Sequence, residues 1–131
     1  MSDSASYWVD TAEYDLETAR AMLQTSRFLY VGFMCHLVAE KMLKACYADA
    51  DQGIPPKTHN LRKLAALSGI GQRMSEEQRQ LLDTLEPLNI EARYPAYKDA
   101  VAASLSENAC RALLSKTEEL HGWIKQQLST T

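Results

Sequence analysis

Residues Phe28 to Tyr47 read FLYVGFMCHLVAEKMLKACY, a run of twenty that carries only four strongly polar side chains, His36, Glu40, Lys41 and Lys44. As a helix it would span about 30 Å, roughly the width of a small domain. At about 100° per residue, Phe28, Val31, Met34, Cys35, Val38, Met42, Ala45 and Cys46 fall on one broad apolar arc. His36, Glu40 and Lys44 follow at i, i+4 and i+8 on the opposite side, with Lys41 at its border. Tyr30, Phe33 and Leu37 interleave with those charges. A helix apolar nearly all round is buried, so this run reads as the central helix of an all-helical domain. Two readings of its charged side stand. It is covered by another helix, a second subunit or a ligand, or Glu40–Lys44 is a surface pair contributing about 0.3–0.5 kcal/mol.

The rest of the chain supplies helices to surround it. Trp8, Ala12, Leu16, Ala19 and Leu23 form one stripe, which predicts a first helix from about Ser6 to Gln24 after a frayed start. Asp15 beside that stripe reads as solvated, with a partner across the core edge as the alternative. Thr25-Ser26-Arg27 is a tight connection in which Ser26 is positioned to cap the second helix, making the two helices antiparallel neighbours. Gly32 is expected where they cross, and Gly53 as a helix stop near Asp51. Ile54-Pro55-Pro56-Lys57 is a stiff connector, and Thr58 is expected to cap a short helix from His59 to about Leu67, with Leu61, Leu64 and Leu67 inward. Ser75-Glu76-Glu77-Gln78 has the spacing of a capping box and opens a helix through Leu88. Asn89 to Val101, containing Arg93-Tyr94-Pro95 and Tyr97, reads as an ordered loop of the kind that carries function. Ser104-Leu105-Ser106-Glu107 reads as a second capping box before a final helix lined by Ala109, Leu113, Leu120 and Ile124.

The expected fold is therefore all-α: an antiparallel bundle of four long helices plus one short one, a single domain over 1–131 with its core at about 7–128 and mobile termini. Its 131 residues bury roughly two thirds of the unfolded surface, enough to fold without staples. With a net charge of −3, the chain lacks the excess of Lys and Arg that broad nucleic-acid binding rests on. Three cysteines, Cys35, Cys46 and Cys110, with no CxxC spacing, read as reduced thiols in a cytoplasmic protein. MSDSASYWVD is not a signal peptide, and Glu40, Lys41 and Lys44 exclude Phe28–Tyr47 as a membrane span. The histidines are too scattered for a metal site. No metal, cofactor, DNA or membrane is expected.

Four features in order resemble the HEPN family of small helical domains. They are Trp8…Ala12…Asp15-Leu16…Ala19, then Ala39-Glu40-Lys41-x-Leu43-Lys44-Ala45, then His59-x-Leu61 after a proline connector, then Arg93-Tyr94-Pro95. The resemblance implies a bundle that dimerises beside an interfacial cleft, and one of two activities. Some members resemble metal-independent RNase toxins with an Arg-x4–6-His motif. Others, closer to this chain, are implied to bind nucleotides and to act beside a small nucleotidyltransferase, as in a toxin–antitoxin pair. The RNase motif is absent: nine residues separate Arg111 from His121, and eight separate Arg27 from His36. The leading expectation is a nucleotide-binding or partner subunit, homodimeric, without catalysis evident in the sequence. Its candidate ligand-binding residues are Glu40, Lys41, Lys44, His59, Arg93, Tyr94 and Tyr97. Tyr94 or Tyr97 would stack a base, and Arg93 would pair with Glu40 or touch the ligand. The alternative is an RNase with His59 as base and Arg93 as the cation for phosphate charge. RNA ranks below a nucleotide as ligand. A bare interaction module, docking through Tyr30, Phe33 and Leu37, is the third reading.

Overall fold

A computed structural model describes residues 1–50, 52–90 and 94–129. Among the described residues six α-helices follow one another: α1 (Asp3–Gln24), α2 (Phe28–Asp49), α3 (Leu61–Ser68), α4 (Glu76–Leu85), α5 (Pro95–Ser104) and α6 (Glu107–Ser129). Short 3-10 turns, Ile70–Gln72 and Glu86–Leu88, join α3 to α4 and continue α4. No strand occurs among the described residues.

α2 is the axis, as its apolar circumference requires. Val31, Cys35, Val38, Met42, Leu43 and Ala45 are fully or almost fully buried. α1 lies antiparallel to it, with Ser2 bonded to Asp49 at one end and the tight 25–27 turn at the other. α6 returns alongside both. Glu13 meets Lys125 and Arg20 meets Glu118, so α6 runs antiparallel to α1. Cys110 reaches Phe28 and Thr117 reaches Cys35, so it runs parallel to α2. All three cysteines are free and buried. Burial pushes the Cys35 and Cys46 thiols up to about 12 and raises Cys110 as well. None is a ready nucleophile, because the thiolate is the reactive form.

The bundle matches the sequence reading, but several local expectations give way. The 89–101 stretch is not all loop. Pro95 opens α5, and its fixed φ with no N–H suits a first helical position, while Tyr94 at the cap is extended, as a residue before proline must be. α1 begins at Asp3 rather than Ser6, because the Ser2 side chain accepts from Ala5 N–H. α3 begins at Leu61, capped by Asn60, whose side chain accepts from Lys63 N–H. Thr58 instead accepts from Asn60 N–H, so His59 precedes the helix. Leu67 is exposed, as α3 is a single amphipathic strip. The capping box at Ser75 and Gln78 is present in full, but before α6 the cap is Ser106, which accepts from Ala109 N–H. Ser104 bonds back to Val101 within α5, and Ala109 is exposed. Gly32 does not face α1. A Cβ there would stand 3.0 Å from Leu105 and 3.3 Å from Leu88, so the glycine admits the leucines that close the far side of α2. α2 ends at Asp49, capped by Ala50, so Gly53 is not its stop.

Ser26 does not cap α2 either. It ends α1, in the left-handed region at φ 60°. Its N–H donates to Leu23 O (3.1 Å) and Arg27 N–H donates to Met22 O (2.8 Å), the two bonds of a Schellman motif that normally takes glycine. Ser26→Gly should therefore stabilise the protein by about 1 kcal/mol, the cost a Cβ carries in that conformation. Urea unfolding at neutral pH measures it, and an unchanged or lower midpoint would refute this reading of the turn.

Candidate functional site

The i, i+4, i+8 spacing of His36, Glu40 and Lys44 sets three polar groups in a row along α2, and the structure buries all three. The cover comes from this chain itself. The C-terminal end of α4 closes one side, and the 54–60 connector crosses the other. The surface-pair reading of Glu40–Lys44 is thus overturned, because two further elements pack over the pair.

Glu40 is the centre. Its Oε1 accepts from His59 Nδ1–H at 2.8 Å and lies 3.4 Å from His36 Nε2. Its Oε2 accepts from Lys44 Nζ at 3.1 Å. His36 Nδ1–H donates to the Leu85 carbonyl oxygen at 3.1 Å. His36 Nε2 makes the longest of the three contacts to the Glu40 carboxylate. Burial pushes the Glu40 carboxyl up, but bonds from His36 and His59 and the charge of Lys44 outweigh it and hold it at about 2, against an ordinary 4.5. One carboxylate thus serves an ammonium and two imidazoles, so nitrogen groups outnumber carboxylates in the cluster. Lys44 also lies 5.4 Å from the centroid of the Trp8 ring, a cation–π contact that ties α1 to the group.

The end of α4 is pinned at three successive residues by three different elements. Leu85 O accepts from His36 of α2, Glu86 Oε1 accepts from Leu61 N–H at the start of α3, and Pro87 O accepts from the Tyr97 hydroxyl of α5 at 2.6 Å.

Of the sequence candidates, Glu40, Lys44 and His59 come together. Lys41 points to α1 and donates to Asp15, which is buried and paired rather than solvated. Tyr94 is 85% exposed at the start of α5, and Tyr97 is occupied with Pro87. Arg93 lies outside the described residues. Two members were not in the expected set. His36 was visible as the i−4 neighbour of Glu40, whereas Trp8 carried no local signal beyond a core stripe. Among the described residues, no group of three or more His, Cys, Asp or Glu side chains is placed to hold a metal ion. No helix among them is long and apolar enough to cross a membrane.

A family model for the HEPN domain matches residues 5–127. The chain belongs to the HEPN family. No match is found among curated proteins. Two solved structures share the HEPN fold. TT1696 from Thermus thermophilus is 19% identical, with 95% of this chain and 98% of that one aligned at a TM-score of 0.79. ST0689, an archaeal HEPN homologue, is also 19% identical, with 97% and 99% aligned at 0.70. At that identity the likeness is one of fold. The chemistry of this HEPN domain rests on its own residues.

Two concavities lie elsewhere. One of about 320 Å³ lies between α3 and α4, against Arg62, Met74 and Arg79. The other, of about 710 Å³, is a groove between α4 and α6 floored by Leu81, Leu113 and Leu120. Neither is lined by the Glu40 cluster. We give the cluster precedence because buried charge with an exposed imidazole is chemistry, whereas these grooves are shape alone.

Removing the carboxylate would leave Lys44 and His36 buried without their anion, so Glu40→Ala should cost about 3 kcal/mol or more. The depressed carboxyl stabilises the fold fully above pH 4.5, and that contribution, on the order of 3 kcal/mol, is lost as pH falls toward 2. Urea titrations of both proteins between pH 7 and pH 2 should show the wild type losing stability more steeply over that window. Parallel acid limbs would mean that Glu40 is not held as described.

Proposed function

We propose that this HEPN domain is a ligand-binding subunit that acts beside a second protein, and that its ligand carries phosphate, with a nucleotide as the class. The observation that supports it is the Glu40 cluster. Its three nitrogen groups are held about one carboxylate, and its outlet to solvent is the imidazole of His59, whose side chain is 56% exposed. Fixed donors of this kind attract an anion without reorganising to meet it. Of the cluster, His59 reaches open surface, so a ligand at His59 is covered on one side by this chain and needs a second subunit to enclose it. The HEPN resemblance suggests the identity of that cover: a second copy of this chain, or a protein bearing a small nucleotidyltransferase domain. On this reading the domain has no catalysis of its own and works in the cytoplasm, where its thiols stay reduced. Arg93, Tyr94 and Tyr97 belong to the proposal as candidate ligand contacts.

A second reading has one observation in its favour. Because His59 Nδ1–H donates to Glu40, its Nε2 is left as a base directed away from the cluster, the orientation an acid–base imidazole needs. An RNase would then require Arg93 to supply the cation.

Calorimetry with ATP, GTP and a short RNA separates these readings. Saturable nucleotide binding without turnover, weakened roughly tenfold or more by His59→Ala in a variant that still melts cooperatively, is the expected result. Metal-independent RNA cleavage lost in His59→Ala and in Arg93→Ala would install the RNase instead. Silence with every nucleotide would remove the proposal.

A further inference from the structure

The outer face of α1 carries a pattern that the core does not require. Asp3, Tyr7, Asp10, Tyr14, Glu17, Ala21 and Gln24 follow one another at alternating spacings of four and three, and all of them are exposed. At about 100° per residue they form one straight seam down the helix, about 30 Å long. It lies opposite the buried stripe of Ala5, Val9, Ala12, Leu16 and Ala19. The same alternation lines the contact face of paired helices, because it keeps successive side chains on one line as two helices wind about each other.

Two properties separate this seam from ordinary solvated surface. The first is aromatic. Tyr7 is 65% exposed and Tyr14 72%. Trp8 meets Tyr7 edge to face with ring centroids 5.8 Å apart, and Thr11 and Thr18 donate their hydroxyls to the Tyr7 and Tyr14 carbonyl oxygens. One exposed tyrosine needs no explanation. Two at a seven-residue interval, set between carboxylates, make a repeat. The second property is charge. Asp3, Asp10 and Glu17 stand at the same interval, with no cation on the seam and no ion pair among the described residues. By contrast, Glu107 pairs with Arg111, Asp83 with Arg62 and Glu118 with Arg20. A face that only keeps its helix soluble mixes both signs at one-turn spacing.

We infer that this seam is a docking face for a helix of a second protein, one that presents Arg or Lys alternating with apolar side chains at the same four–three spacing. Charge decides the occupant. A second copy laid α1 against α1 would gather three carboxylates from each chain along one line with no cation to offset them. Nucleic acid would bring phosphate against the same carboxylates. A basic helix offsets all three, and its cations also lie over the tyrosine rings, where cation–π attraction adds to apolar contact. Tyr7 and Tyr14 are the anchors of the surface. The seam includes no member of the Glu40 cluster, so it stands independently of the ligand reading.

Two helical peptides matched to the length of the seam serve as probes. One has Arg and Leu alternating at the four–three spacing on an Ala and Gln background, and the other has Glu in place of Arg. Fluorescence anisotropy should show the basic peptide bound roughly tenfold or more tighter than the acidic one. Tyr7→Ala combined with Tyr14→Ala should weaken the basic peptide roughly tenfold or more, with the melting temperature unmoved. Asp10→Lys with Glu17→Lys should reverse the preference between the peptides. Glu77→Lys with Glu119→Lys makes the same change in net charge away from the seam and should leave the preference in place. Binding indifferent to the tyrosines, or weakened equally by both pairs of charge changes, would mean attraction to net charge alone and would overturn the proposal. So would the absence of binding. Self-association of the chain that Tyr14→Ala abolishes would assign the seam to a second copy and overturn the basic partner.

Discussion

The structure depends on where one carboxylate is put. Glu40 lies on the most apolar helix of the chain, at a level where water is excluded, and an unpaired charge there would be ruinous. It is tolerated because α2 supplies His36 below it and Lys44 above it at one-turn spacing, and because the 54–60 connector delivers His59 across the top. Each partner commits another element. His36 holds the end of α4 through Leu85, Lys44 holds α1 through Trp8, and His59 holds the connector leading to α3. A polar cluster of this kind contributes less to net stability than to specificity of arrangement. Sliding α1, α4 or the connector past α2 would unpair a buried charge, whereas the surrounding Leu, Val and Ala contacts could re-form in a shifted register.

The same arrangement ties the cluster to the part of the chain expected to bear function. The last turn of α4 is bound at Leu85, Glu86 and Pro87 to α2, α3 and α5 in turn. Through the Tyr97 hydroxyl, α5 hangs on Pro87, two residues beyond the Leu85 carbonyl that receives His36. α5 has one buried side chain, Val101, so it is the least anchored of the six helices. The connection from α2 to α5 at this point is made of hydrogen bonds to the end of α4.

Membership of the HEPN family describes the bundle, and the shared fold of TT1696 and ST0689 extends over nearly the whole chain. Function does not follow from that bundle, because folds host sites rather than dictate them. What separates this chain from a bare helical scaffold is the excess of nitrogen donors over carboxylate at Glu40 and the seam of tyrosines and carboxylates on the outer face of α1.

Much of the fold was legible residue by residue. The apolar arc of α2, the stripe of α1, the capping box at Ser75 and the proline connector each encode local geometry, and helices follow from periodicity because the backbone closes its own hydrogen bonds within a few residues. The one-face spacing of His36, Glu40 and Lys44 was equally visible. Whether that face met water was not, since covering it took residues 19 to 49 positions away. Asp15 looked solvated for the same reason: its partner Lys41 lies on another helix. α5 was missed because Arg93-Tyr94-Pro95 reads as a breaker, although the same proline is a good first residue for a helix. Trp8 reads as one more member of the core stripe, and only the packing of α1 on α2 brings its ring beneath Lys44. The sequence by itself determined which segments are helices and which of their faces are apolar, because those are short-range properties of the chain. The tertiary structure decided which charges are buried together, because a charge acquires its partners, and with them its chemistry, only when separate helices are packed side by side.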